Sequence, residues 1–570
     1  MSARDRDYHT DGFSTLERGI DSRPGRVSLI SKNQLAFLTN GTVRNGFAYG
    51  RPGQKRVPIT FSGDDALAPF QDGFFQGARA YNPPNGLPVL VASINGRQWR
   101  INVSTNNLVK EITVGLTSPR RQVWFEQAED WLIMQDDESK PRIYNGAAMR
   151  TAALTGELPV GRQMVYAKGR VWLSKGRHYM AGDIFGGPSG TPSLGRRDAV
   201  LKVTENTFLN EGGAFGVPDS SGDINAMNVI AIPDTSLGQG DIVVSTAGTM
   251  FTNLAPTDRT TWKNLTTPIQ TVVLLQYGAL SQNSLILVNG DMFFRSNVGV
   301  CSLIMARRDF TTWGNTPVSG EAVRVFDDDD QTLLNWSSAV LFDNRLLMTA
   351  KPYWTEHGVI HKALGVLDFD ILSTMAGKSP PVWEGMWTGL NILQILKCTI
   401  SGQERCFMFV LNPQNQIELW EQTRNERFDN GRNRVTWSFE TGSYSFATTL
   451  RKRLQGLTLF IDRVAGEVDF DLKWKPDQYP CWVDWAKWTE CGSIDNCEAT
   501  TDCMTLQNWT EQYRPEIEIG QPPIACESGQ TKLSRDAYEY QVRLAMTGFC
   551  RVKFMKLFAS LQEKPTQITA

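Results

Sequence analysis

Apolar residues in this chain fall in short runs cut by Gly, Asn, Asp and Pro, and within many runs they alternate with polar residues. That is the period-two grammar of strands and turns, and stretches with a helical period are scarce. One unit recurs through the middle of the chain: an apolar strand, a tight turn, then a second apolar strand rich in Phe and Met. It reads Ile242-Val243-Val244, turn Ala247-Gly248, then Met250 and Phe251. It returns as Leu285-Ile286-Leu287-Val288, turn Asn289-Gly290, Met292-Phe293-Phe294. A third copy is Ala339-Val340-Leu341-Phe342, turn Asp343-Asn344, Leu346-Leu347-Met348. Gly248 and Gly290 lie 42 residues apart, and Gly290 and Asn344 lie 54 apart. Spacings of that size match one four-stranded propeller blade. Hairpin signals also lie upstream, at 89–103 around Asn95-Gly96, at 131–144, and at 164–173 around Lys168-Gly169; 407–420 closes the series. The only helical candidates, 32–38 and 369–375, are short.

Around this array the chain divides into three. Residues 1–60 carry Gly19, Pro24, Gly25, Gly41, Gly46, Gly50, Pro52 and Gly53 between small apolar groups, and read as an extended N-terminal docking arm without a core. Residues 61–430 read as the β-propeller blades, with 182–222, rich in Gly, Pro and Ser, as a long surface loop or blade junction. The polar stretch 422–434 marks a boundary. Beyond it Val435, Trp437 and Phe439, then Leu457, Leu459 and Ile461, then Tyr540, Val542, Leu544 and Met546 alternate with polar residues. Residues 431–570 therefore read as an antiparallel β platform domain, interrupted by a Cys- and Trp-rich insertion at 476–530. The expected fold class is all-β: a propeller, an added platform and the arm.

Composition narrows the function classes. A chain of 570 residues exceeds one ordinary core, and a net charge of −2 with 21% charged residues lacks the basic bias of a nucleic-acid binder. The charged opening Met-Ser-Ala-Arg-Asp-Arg-Asp reads as no secretory leader, and no apolar run approaches the roughly 18 residues of a membrane helix. The expectation is a protein made and soluble in the cytosol.

Several constellations invite chemistry, and each has a plainer reading. Cys481, Cys491, Cys497, Cys503, Cys526 and Cys550 cluster near the end of the chain, but Cys491-x5-Cys497-x5-Cys503 is not zinc spacing. Disulfides and buried thiols are equally compatible with that pattern. His357 and His361 are four apart beside Glu356, but Gly358, Val359 and Ile360 between them suit a turn and strand better than a metal-binding helix. Residues 327–330 are four consecutive Asp, which lack the spaced calcium layout and read as a solvated loop. Trp482, Trp485 and Trp488 suit packing on a sheet more than sugar stacking. Asp258-Arg259-Thr260-Thr261-Trp262 recurs as Asp309-Phe310-Thr311-Thr312-Trp313, 51 residues on. The pair resembles the Asp-box turn of sialidase-like propellers, a structural turn that lies away from the active site, although both copies lack its Gly. No Gly-x-Ser-x-Gly, phosphate loop or dinucleotide fingerprint occurs. No catalytic, cofactor-binding or metal residue is assigned, and the chain reads as a non-enzyme.

The ordered series Gly19-Ile20-Asp21-Ser22-Arg23-Pro24, Asn33-Gln34-Leu35-Ala36, Asn40-Gly41, Gly46-Phe47 and Arg51-Pro52-Gly53 resembles the start of the tail nozzle proteins, or tail tubular protein B, of short-tailed bacteriophages. The insertion at 476–530 departs from that pattern. The resemblance implies a structural virion component assembled in the host cytoplasm. It would form a hexameric ring below the tail adaptor and portal proteins, with tail fibres or spikes on its outer side. DNA would pass through the lumen without sequence-specific binding, gated by loops such as 182–222 or 327–330. A mildly acidic chain suits a conduit, because basic linings would add phosphate contacts. The alternative is a glycan-active, sialidase-like propeller or a glycan-binding one.

Overall fold

The computed structural model describes residues 8–186, 194–204, 214–230, 241–264, 269–304, 317–370, 381–477, 479–492, 516–523 and 535–561. Five small sheets form a five-blade β-propeller arrangement. Blade one holds Phe75–Tyr81, Val89–Ile94, Arg97–Ile101 and Leu108–Glu111, with Thr60–Phe61 added in parallel at its edge. Blade two is Trp124–Ala128, Trp131–Gln135, Arg142–Tyr144 and Met149–Thr151. Blade three is Met164–Ala167, Arg170–Lys175, His178–Ala181 and Ala214–Gly216. Blade four is Ile224–Ile230, Asp241–Thr246, Thr249–Asn253 and Gln270–Leu275, and blade five is Ile286–Val288, Asp291–Ser296 and Gly299–Ser302.

The tight turns form where the sequence supplies residues that tolerate positive φ. Asn95 and Gly96 sit at 52° and 79°, Lys168 and Gly169 at 52° and 68°, and Asn289 and Gly290 at 50° and 84°. Two successive left-handed residues make the type I′ turn, whose twist matches that of paired strands. Lys168 takes this conformation at a cost. Its ammonium donates to the Ala255 carbonyl at 2.7 Å, a contact that holds it there.

Alternation along each strand gives every blade two apolar faces, and these stack on the neighbours. Val91 meets Phe125 and Leu132 between blades one and two, and Ile133 and Ile143 meet Val171 and Leu173 between two and three. Trp172 and Tyr179 meet Val244 and Phe251 between three and four, and Val243 and Met250 meet Met292 and Phe294 between four and five. Each such side chain contributes about 1.5–3 kcal/mol on burial.

The circle is completed by a seventeen-stranded sheet. Its strands Ala339–Phe342, Arg345–Thr355 and Gly358–Asp368 pack Leu346 and Met348 on the side of blade five that carries Val288 and Phe293. The next strand, Val382–Ile400, serves two layers. Its first half pairs with Gly358–Asp368; beyond a bulge at Ile392 and Gln394 it pairs with Gln403–Leu411. Gly385 and Gly389, at φ 91° and 113°, precede the changeover, and a Cβ on Gly385 would lie 2.0 Å from the Leu38 carbonyl oxygen. The second layer continues through Ile417–Gln422 to Gln54–Val57. Its Leu396, Phe407 and Phe409 pack on Phe75, Ile94 and Trp99 of blade one, which closes the ring.

The rest of the large sheet is built on two long strands, Lys452–Pro476 and Tyr540–Leu561, paired over most of their length. Val483–Gly492 and Glu516–Ile519 pair with the first; His9–Phe13, Ala48–Gly50 and Thr436–Thr441 pair with the second. Leu459, Phe470, Trp474, Leu544 and Leu557 form its core.

Two expectations change here. Residues 35–39 form a strand, not a helix, paired with Thr436–Thr441, because burial of Leu35, Phe37 and Leu38 in a sheet outweighs weak local helix preference. The segment before residue 60 packs within its own chain: Phe13, Leu16, Ile20, Leu35 and Leu38 are buried in the core of the large sheet. The stretch 182–222 is not all loop, because Ala214–Gly216 is the fourth strand of blade three. Residues 371–375 of the other helix candidate lie outside the described residues. Among the described residues no helix is long and apolar enough to cross a membrane.

Candidate functional site

Two places concentrate polar chemistry. The first is the seam where residues 19–57 run between the propeller and the C-terminal strands. Gly19, at φ 61°, lies where a Cβ would come within 2.2 Å of the Trp383 carbonyl oxygen. The buried Asp21 carboxylate accepts from Arg23 Nε at 2.8 Å, and Ser22 Oγ donates to the Glu321 carbonyl at 3.0 Å. Asn40, at φ 52°, donates through Nδ2 to Thr388 Oγ1 and to the Thr436 carbonyl, each at 3.1 Å, and accepts from Thr388 N at 2.6 Å. One amide thus joins three strands. Arg51, 3% exposed, grips Asp429 with both Nη atoms at 2.9 and 3.0 Å. A Cβ on Gly53 would lie 2.2 Å from the Phe428 carbonyl oxygen.

Below these contacts is a buried ion network. Glu384 is fully buried and accepts from Arg345 Nε at 2.9 Å, from Val43 N at 3.0 Å and from Thr42 Oγ1. Arg44 reaches Asp368 at 2.6 Å, Asp343 at 2.9 Å and Asp370 at 3.0 Å, and Arg345 also holds Asp343. Burial and then the neighbouring Glu384 charge push Asp368 up to about 6, against the opposing bond from Arg44. Burial also raises Glu384, but Arg345 and the Thr42 hydroxyl outweigh it and hold the carboxylate below its ordinary range. Asp368 is therefore the first of the two to take a proton.

The second place is a cavity of about 350 Å³ where the first strands of blades two, three and four begin. Those strands lie side by side around the centre of the ring, so the cavity is an axial well. Arg120, Arg121, Gln122 and Trp124 line it from blade two, Arg162 and Gln163 from blade three and Asn225 from blade four. Trp336 and Trp354 complete the opposite wall, both set against Phe74 with ring centres 6.0 and 5.5 Å away. Its acids are engaged. Asp137 holds Arg162 Nε at 2.7 Å, and Asp136 accepts from the backbone N–H groups of Ser118, Glu138 and Ser139. Burial raises Asp136, but those three bonds prevail and keep it below the ordinary carboxylate range. Among the described residues, Arg120 has no acidic partner and the Asn225 side chain makes no hydrogen bond.

The residues singled out in the sequence fall mostly elsewhere. His361 is fully buried, with Nδ1 3.2 Å from the Ile392 carbonyl oxygen, and burial lowers it to about 4. His357 sits in the turn next to that strand, 3.7 Å from Asp72. Among the described residues no cluster could hold a metal ion. The four Asp are not one solvated loop: Asp329 is buried and paired with Arg295 at 2.8 Å, Asp330 caps a short helical turn through Thr332 N, and Asp327 and Asp328 meet Lys351. An internal cation drew Asp329 inward. Trp262 of the first Asp-box-like turn stacks on Trp172 at 5.8 Å and donates to the Pro256 carbonyl, a structural role; the second copy lies outside the described residues.

In the insertion, Trp488 stacks on Phe470 with centres 4.8 Å apart and Trp485 donates to the Gly520 carbonyl. A bulge at Trp485 lets tryptophans three apart pack on one core. Cys491 is disulfide-bonded, whereas Cys481 and Cys550 are free thiols. Cys497, Cys503 and Cys526 lie outside the described residues. The ion network and the well were not found from the sequence. The available signal was a charge inside an apolar strand, Glu384 within Val382-Trp383-Glu384-Gly385-Met386-Trp387 and Asp368 after Val366-Leu367.

No protein-family model matches the chain, and no curated protein matches it. Among solved structures, the computationally designed protein Ika8 aligns over 65% of this chain and 100% of its own, at 9% identity and a TM-score of 0.29. BamB from Moraxella catarrhalis aligns over 65% of this chain and 98% of its own, at 9% identity and a TM-score of 0.30.

Proposed function

We propose that this chain is a structural subunit of a bacteriophage tail, of the nozzle type found in short-tailed phages. One observation carries the reading. The residues that resemble the nozzle opening are the ones with mechanical work at the seam: Gly19, Ser22, Asn40, Arg51 and Gly53 each fix the early segment against the strand Val382–Ile400, the Glu321 carbonyl or the segment 428–429. In this reading the subunit is a rigid unit of a hexameric ring in the virion tail, assembled in the host cytoplasm, with the adaptor above it and fibres or spikes outside. DNA passes through the lumen without sequence-specific contacts, and the role is mechanical rather than enzymatic. The engaged acids of the well favour this over glycoside hydrolysis, which needs a carboxyl free to donate its proton. Because the early segment is covered by its own chain, ring contacts belong to other surfaces.

The test is imaging. Purified chain mixed with its adaptor ring is expected to give closed rings by electron microscopy, and particles bearing the chain to show it at the distal end of the tail. A chain that stays monomeric with the adaptor and is absent from particles overturns the reading.

A further inference from the structure

We propose that the axial well binds an acidic saccharide, a ring or pair of rings bearing a carboxylate. The volume, about 350 Å³, sits at the lower end of the roughly 300–1,000 Å³ of small-molecule sites and suits one or two pyranose rings rather than a threaded polymer. Three tryptophans line it. Trp354 is 47% exposed with its position set by Phe74, and none of the indole N–H groups of Trp124, Trp336 and Trp354 is committed among the described residues. An indole offers a flat apolar face for the C–H side of a sugar ring and a donor for a hydroxyl, a pairing that suits an amphipathic ligand. Asn225 adds a free amide that can both donate and accept.

The charge pattern selects the acid. Arg162 is neutralised by Asp137 and Asp223, and Arg121 faces Glu138 at 3.2 Å, which leaves Arg120 as the uncommitted guanidinium among the described residues. One free guanidinium suits one carboxylate, which it can grip with two parallel bonds. A phosphate dianion or a nucleic-acid strand would bring more negative charge against Asp136, Asp137, Glu138 and Asp223, and fits the same wall less well. This inference does not depend on the tail reading, since it rests on the lining of the well alone.

Calorimetric titration of the full chain with galacturonate, a monocarboxylate, tests it, alongside the methyl ester of that sugar, guanosine monophosphate and a short oligothymidine. The expected result is saturable binding of galacturonate, with the uncharged ester at least about tenfold weaker, as loss of one charge-assisted bond implies. Arg120→Ala should impose the same loss on galacturonate and leave the ester unchanged. Trp354→Ala should weaken both sugars. Both positions are exposed, and an unchanged melting temperature verifies that the variants fold. Absence of saturable binding, binding unaffected by both substitutions, or tighter binding of the oligothymidine or the nucleotide overturns the proposal.

Discussion

The blade ring and the seam are held together in different ways. Between blades, contact is apolar and repeated: each interface is a layer of strand side chains such as Met250 against Met292, and the residues involved are close in sequence. At the seam, contact is ionic, and its partners are hundreds of residues apart: Arg44 to Asp368, Thr42 and Val43 to Glu384, Arg51 to Asp429. Layers tolerate variation because dispersion and burial are non-directional. A buried ion network does not, since removal of one member leaves an opposite charge without a partner in a dry interior.

The sharpest way to probe that contrast is Arg345→Ala. It removes a guanidinium that is 3% exposed and strands Glu384, with an expected loss of about 3–5 kcal/mol in urea denaturation. Hydrogen exchange should rise first in residues 35–57 and 382–388. A uniform rise that includes blade three would show the two regions to be one cooperative unit and end the distinction. Leu285→Ala, in the layer between blades four and five, should cost about 2–5 kcal/mol through lost burial and the cavity left behind, with faster exchange confined to those blades. Faster exchange at the seam would contradict it.

The smallest effect concerns pH. Folding raises the pKa of Asp368, so the folded chain holds that proton more tightly than the unfolded one. The stability from this group is fully present below its ordinary value of 3.8 and fades as pH rises through about 6. Glu384 runs the opposite way: its contribution is present above 4.5 and declines as pH falls through its lowered folded value. Relative to Asp368→Asn, the native chain should therefore lose on the order of 1–3 kcal/mol between pH 4 and pH 7. Parallel stability curves for the two would remove Asp368 as the titrating group.

The same division governs what could be read in advance. Hairpins were legible where two adjacent residues announce a turn, as at Asn95-Gly96 and Asn289-Gly290, because turn choice is local. Blade three was only partly legible: its fourth strand, Ala214-Phe215-Gly216, is too short to signal itself within a Gly- and Ser-rich stretch. Residues 32–38 suggested a helix because the strand that captures Leu35 and Phe37 lies about 400 residues away. The well escaped notice for a related reason. Arg120, Asn225 and Trp354 become neighbours only after the ring has closed, and no spacing along the chain records that.

The outer strand Gln54–Val57 carries a consequence for biosynthesis. Its pairing partner, Ile417–Gln422, leaves the ribosome more than 350 residues later, and the Tyr540–Leu561 strand that pairs with His9–Phe13 later still. At about 5–20 residues per second, the early segment waits on the order of tens of seconds with Leu16, Ile20 and Leu38 uncovered. Blades two to four can form meanwhile, each against the one before it. The final stitch is made last, by the residues synthesised first, so newly made chains pass through an open-ring stage whose lifetime is set by the rate of translation.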